Sequence, residues 1–137
     1  MAYKFEQLDV WKLSLDYVDL IYALADQLPK SEEYNLKSQI RRAATSISLN
    51  VAEGSTGLSD AEQSRFLSIA VRSLIETVAC LHLIHRREYL ADAEPLRAAY
   101  RASETLFAKL QAFRRSLNPG ILREEPSDYQ TDSPTPF

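Results

Sequence analysis

Between Leu36 and Gly54 the chain reads LKSQIRRAATSISLNVAEG, and small or apolar residues return at Leu36, Ile40, Ala43, Ile47 and Val51, the three-four rhythm of an α-helix. A polar stripe runs beside them at the same spacings, through Gln39, Arg42, Ser46, Asn50 and Glu53. One apolar stripe suffices to seat a helix on a core. An ordered polar stripe next to it predicts a second packed surface, where hydrogen-bonding side chains must find mates. The chain is thereby constrained to a helical assembly in which this segment is covered on two sides.

The same period recurs along the chain. The first segment, from about Glu6 to Leu28, carries Leu8, Trp11, Leu15, Val18, Tyr22 and Ala25 on one stripe and Leu13, Tyr17, Leu20, Ile21, Leu24 and Leu28 on another, and Pro29 ends it. Ser31 is expected to cap the second helix, with Glu32 and Glu33 in its first turn and Gly54 as a left-handed terminator. Ser59 and Glu62 form a capping-box pattern for a third helix reaching about Glu88. Asp92 is expected to cap a fourth, with Leu96, Ala99, Ser103, Leu106, Leu110, Phe113 and Leu117 on one stripe and Asn118, Pro119 and Gly120 at its end. Three glycines and six prolines in 137 residues, with no alternating strand pattern, complete an all-α reading. Short connections predict an antiparallel up-down-up-down four-helix bundle over residues 1–118. Residues 119–137, acidic and rich in Pro and Ser, are expected to form a flexible tail; Phe137 at its end is a conceivable docking residue, with plain disorder the favoured expectation.

The third segment is more apolar than a bundle helix requires. At about 100° per residue, Phe66, Leu67, Ile69, Ala70, Val71, Leu74, Ile75, Val78, Cys80, Leu81 and Ile84 cover more than half its circumference, leaving a strip with Arg65, Ser68, Arg72 and Arg86 for solvent. That excess predicts burial against other copies of the chain.

Charge narrows the partners. Sixteen basic against nineteen acidic residues give a net charge of -3 and offer no general attraction to nucleic acid or anionic membrane. From Pro119 onward stand one basic residue, Arg123, and four acidic ones, Glu124, Glu125, Asp128 and Asp132, so the preceding body is neutral. A single cysteine excludes an internal disulfide, no signal peptide or stretch of about 18 apolar residues is expected, and the default address is the cytoplasm.

Candidates for chemistry are sparse. His82 and His85, with Glu88 a further three on, have the spacing of a shared metal but no matching pair elsewhere, and the Glu-x-x-His pattern of di-iron bundles is missing, so neither a metal nor a cofactor is expected. Cys80 falls in the apolar arc and reads as a buried small hydrophobe. Three glycines at 54, 57 and 120 cannot supply a phosphate loop. Trp11 and Tyr17 read as core or interface aromatics. Lys37, Arg41 and Arg42 offer an anion or nucleic-acid site on the second helix as the alternative to a structural role for Arg42. Arg72, Arg86 and Arg87 on the third helix and Arg97, Arg101, Lys109, Arg114 and Arg115 on the fourth form a larger positive surface if an oligomer gathers them; Glu94 and Glu104 offset them if the face is an ordinary solvated one. No enzymatic activity is expected.

The stretches FEQLDVWKLS (Phe5 to Ser14), LKSQIRRAATSISLNVAEG (Leu36 to Gly54) and RFLSIAVRSLIETVACL (Arg65 to Leu81) resemble the 23S rRNA-intervening sequence proteins, also called the four helix bundle protein family. The resemblance covers about residues 3 to 117. It implies a bacterial four-helix bundle that assembles into a ring-like homopentamer without known catalytic activity. Some members are encoded inside insertions in 23S rRNA genes. Related proteins are accessory variability determinants of diversity-generating retroelements, in which a strongly basic pentamer binds a reverse transcriptase and nucleic acid; the neutral body and acidic tail of this chain depart from that group. The recurring polar residues of the family match Gln39, Arg42, Ser46, Asn50 and Glu53, and Ser73 and Glu76 in the third helix. In physical terms Arg42 and Glu76 suit a charge-assisted pair between helices, and Asn50 and Ser73 suit the leftover donors and acceptors of a buried network that fixes register or subunit orientation. Two roles follow: a homo-oligomeric scaffold or adaptor that binds another protein, or an RNA- or DNA-associated accessory protein.

Overall fold

The computed structural model describes residues 2–57, 59–117 and 134–137. A 3-10 turn at Lys4–Gln7 leads into α1 (Asp9–Ala25); a second, at Lys30–Glu32, precedes α2 (Leu36–Gly54); α3 (Asp60–Arg86) and α4 (Glu94–Leu117) follow. All regular structure among the described residues is helical. Helix α1 packs on α2 and α4, and α3 packs on α2 and α4, an arrangement consistent with a four-helix bundle.

The core is one continuous cluster. Tyr17, Ile21 and Leu24 of α1, Ile40 and Ile47 of α2, Leu67, Leu74, Leu81 and Ile84 of α3, and Leu96, Leu106 and Leu110 of α4 are fully buried in it. Of the two stripes on the first helix, the one through Tyr17, Ile21, Leu24 and Leu28 faces this core, while Leu15 and Tyr22 of the other, and also Leu20, remain on the surface. The five apolar positions of α2 are all buried. On α3 the third-turn periodicity holds for Leu67, Ala70, Leu74, Leu81 and Ile84, but Ile75 is exposed.

By length and composition α3 is apolar enough to cross a membrane, contrary to the expectation that no such stretch exists. Half of that window is buried inside the molecule, as befits the central helix of a packed bundle.

Cap chemistry explains the boundaries. Ser59 accepts from the Glu62 N–H at 3.2 Å, and Asp92 accepts from the Glu94 N–H at 2.9 Å, starting α3 and α4 as expected. The second helix begins later than Ser31 predicts. Its first turn is served instead by the Glu32 carboxylate, which accepts from the Leu36 N–H at 3.2 Å, from Asn35 at 2.9 Å and from the Tyr89 hydroxyl at 2.6 Å. Those bonds, the one from Tyr89 foremost, hold the Glu32 carboxyl below the usual carboxylate range. Gly54 also acts differently from expectation. The left-handed glycine is Gly57, at φ 85°, whereas Gly54 closes α2 where a Cβ would meet Phe66 Cβ at 3.0 Å. It is a point of close approach between α2 and α3. Helix α3 gives way to Glu88, a non-glycine residue at φ 57°. The residues expected to end α4, Asn118 to Gly120, and the tail as far as Ser133 lie outside the described residues.

Candidate interface on the outer face of the second and third helices

On α2, Gln39, Arg42, Ser46, Leu49, Asn50 and Glu53 share the side turned away from the core, because steps of three and four bring residues back to one face. Helix α3 lies alongside. The Gln39 side-chain amide donates to Glu76 at 3.4 Å, and the Ser46 and Ser73 hydroxyls meet at 2.9 Å. Asn50 completes the second group by donating to the Ser46 carbonyl at 2.8 Å and to its hydroxyl oxygen at 3.1 Å. The polar stripes of the two helices therefore touch each other in register.

Three details differ from expectation. Arg42 donates to Ser38 one turn earlier, at 3.2 Å, and the Glu76 carboxylate is taken by Gln39, so the anticipated Arg42–Glu76 pair is not formed. The cause is register: Gln39, not Arg42, lies opposite Glu76. Within one bundle the stripe is not buried; Gln39, Arg42, Glu53 and Glu76 are exposed, and Ser46, Asn50 and Ser73 half-buried. Finally, Glu53 shows a bond only at its backbone, where its carbonyl accepts from Thr56 at 2.9 Å.

Large apolar side chains are exposed on the same two helices, Ile75 on the flank of α3 that turns toward α4. Leu49 of α2 is 53% exposed, and Ile75 and Leu83 of α3 are 54% and 51% exposed. Exposed apolar side chains and ordered, part-buried hydroxyl and amide bonds on the same two helices give their surface the mixed character of a protein contact surface.

The buried polar bonds lie elsewhere, and the polar stripe did not disclose them. Tyr17 and Thr77 join hydroxyls at 2.7 Å across α1 and α3, and Thr77 also donates to the Leu74 carbonyl at 2.6 Å. Burial pushes the Tyr17 hydroxyl well above its ordinary range, and the Thr77 bond offsets this in part. Ser14 and Ser48 meet at 2.9 Å between α1 and α2, and Gln63 donates to Ser55 at 3.1 Å where α2 turns into α3. The available signal was the polar residue at a core position of each stripe: Ser14, Ser48 and Thr77 recur at core spacing among apolar neighbours.

The candidate nucleic-acid contacts are scattered and partly neutralised. Glu33 pairs with Lys37 at 3.1 Å and Arg41 at 3.5 Å, and Arg41 also lies over the Tyr22 ring, 5.9 Å from its centroid. Glu94 pairs with Arg97 at 3.1 Å and Arg101 at 3.8 Å. Glu104 does not share that work as expected: its Oε1 is shut off from solvent with no hydrogen-bond partner among the described residues, and burial raises its carboxyl despite Arg101 nearby. It borders an apolar groove of about 260 Å³ between α3 and α4, lined also by Leu74, Ile75, Val78, Tyr100, Ser103 and Phe107. Arg114 donates to Gln111 at 2.8 Å, yet its Nε is buried and unpartnered; burial, and secondarily the charge of Arg72, lowers its pKa. Arg72, Arg86 and Arg87 are exposed, and Arg115 half-buried.

His82 and His85 stand on the exposed side of α3, where their rings flank Phe137. Among the described residues no group of three or more His, Cys, Asp or Glu side chains is placed to hold a metal. Cys80 is buried, and its thiol is pushed up to about 11 by desolvation and, less, by Glu76.

No curated protein matches the chain. Among solved structures it resembles a protein of unknown function of the S23 ribosomal protein family from Bacteroides thetaiotaomicron VPI-5482, with 28% identity and a TM-score of 0.71 over 77% of this chain and 98% of that one. The family model of the 23S rRNA-intervening sequence protein matches residues 6–112, the span that holds all four helices but the last turn of α4. The chain is a member of the 23S rRNA-intervening sequence protein family.

Proposed function

We propose that the chain is a non-catalytic, cytoplasmic subunit of a ring-like homo-oligomer, a pentamer by its family resemblance, serving as a helical scaffold or adaptor for another protein. The observation that carries this reading is the surface of α2 and α3, on which Leu49, Ile75 and Leu83 are about half exposed and which also carries the part-exposed Ser46–Ser73–Asn50 and Gln39–Glu76 bonds. Covering that face with another copy removes apolar surface from water and turns half-exposed hydrogen bonds into buried, orientation-setting ones. The unpartnered Glu104 Oε1 beside the α3–α4 groove gives further support, since a neighbouring subunit can supply its donor. Contacts between consecutive helices joined by short connections support an up-down-up-down course.

A second reading, an RNA- or DNA-associated accessory protein, has one specific observation in its favour. The Arg114 Nε is buried without a partner among the described residues, and burial first and the charge of Arg72 second lower its pKa; a phosphate would supply the missing acceptor and offset both.

Light scattering coupled to size-exclusion chromatography, with and without structured RNA at low and high salt, tests both. A ring-sized oligomer that ignores RNA is the expected result. A mass of 15.6 kDa, that of the single chain, overturns the scaffold reading. An RNA complex that is lost steeply with added salt selects the second.

A further inference from the structure

Two pairs of side chains, each three residues apart on its helix, meet where α3 and α4 run side by side: His82 and His85 on one, Arg97 and Tyr100 on the other. The ring of Phe137 sits among them. Its centroid is 5.0 Å from that of His82, 5.0 Å from that of His85 and 5.8 Å from that of Tyr100, at interplanar angles of 61°, 54° and 88°. These are edge-on and tilted packings, the arrangements that ring quadrupoles favour. Arg97 donates from Nη1 to the Phe137 main-chain oxygen at 2.9 Å, while its Nε is anchored on Glu94 at 3.1 Å. One side chain thus reads the backbone and three read the ring. Phe137 packs against the core cluster, in contrast to the expectation of plain disorder at this end of the tail.

The residues before the ring suit it to this use. Pro134 and Pro136 have restricted φ and no N–H to satisfy, so holding them in place costs less conformational entropy than ordering an ordinary segment. Sixteen residues separate Leu117 from Pro134. A connection of that length spans at most about 50–60 Å, more than the roughly 36 Å length of a 24-residue helix such as α4. Nothing in its length restricts the segment to its own bundle.

We propose that His82, His85, Arg97 and Tyr100 form a peptide-docking site for a proline-preceded phenylalanine, that Pro134–Phe137 is its resident ligand, and that the site takes the same segment from a second copy. The receptor side chains belong to a single bundle, so the site does not depend on the subunit assembly proposed above. Tethering gives the resident segment an effective concentration on the order of mM. It therefore competes with any peptide supplied from outside.

The test is fluorescence anisotropy with the labelled heptapeptide TDSPTPF, corresponding to residues 131–137, titrated with the full chain and with its Phe137→Ala variant. The variant is expected to bind the peptide about tenfold more tightly than the unaltered chain, because its own segment no longer competes. A peptide with alanine in the last place should not bind. Arg97→Met and the double change His82→Ala, His85→Ala, each placed on the Phe137→Ala background, should abolish binding while circular dichroism shows intact helix. Equal affinity for the unaltered chain and the variant, binding that survives loss of the histidines and Arg97, or no binding up to about millimolar peptide each overturns the proposal.

Discussion

Cys80 shows how residue chemistry follows from placement rather than type. A cysteine two positions from a histidine in sequence invites a reading as a reactive centre, but this thiol is 3% exposed and burial pushes its pKa up to about 11. At pH 8 only about one thiol in a thousand is ionised at that pKa, and the thiolate is the reactive form. Ellman's reagent at pH 8 should therefore label Cys80 at least tenfold more slowly than it labels the urea-unfolded chain; equal rates would show that α3 opens readily at that point. The apolar arc on which Cys80 falls made its burial legible in the sequence. The partnership of Tyr17 with Thr77 was not, because it depends on how α1 and α3 are offset and no local pattern encodes an offset. The same holds for Arg42: its charge and position were plain, yet a shift of one turn gave Glu76 to Gln39.

At the level of elements, periodicity located all four helices, and the polar caps Ser59 and Asp92 located two starts. The start of α2 escaped because the group serving its first turn, Glu32, is held from the connection between α3 and α4 by Tyr89, a residue 57 positions away. On α1, two apolar stripes of equal regularity left the choice of core face to tertiary packing. The Glu32–Tyr89 contact makes a pH-dependent prediction. Because Glu32 is held below the ordinary carboxylate range, its stabilising effect is present above the unfolded value near 4.5 and fades as pH falls through the lower folded value. Tyr89→Phe should lower the melting temperature at pH 7 and bring the two proteins together near pH 2–3. Thermal unfolding followed by circular dichroism at the two pH values checks this; a difference that persists unchanged in acid would assign the effect of Tyr89 to packing instead.

For the whole molecule, the excess of apolar residues on α3 was legible from composition, while its division between core and surface emerged only with the fold. Leu81 and Ile84 went inward; Ile75 and Leu83 stayed outside. Exposed positions of that kind tolerate substitution in a single bundle within about 0.5 kcal/mol. The double change Ile75→Lys, Leu83→Lys should accordingly preserve helix content while reducing the mass measured by light scattering to that of one chain. A variant that keeps the mass of an oligomeric native protein would remove these positions from the proposed subunit contact. The arrangement of the helices also bears on biosynthesis. Helix α4 packs on both α1 and α3, so the first of the four helices and the most apolar one share a neighbour that is synthesised after both. Until that neighbour is made, the apolar side of α3 that α4 covers stays open to water and to chaperones. Closure of the bundle therefore waits for the synthesis of α4, and a chain that stops before Glu94 would leave the core faces of α1 and α3 without their common partner.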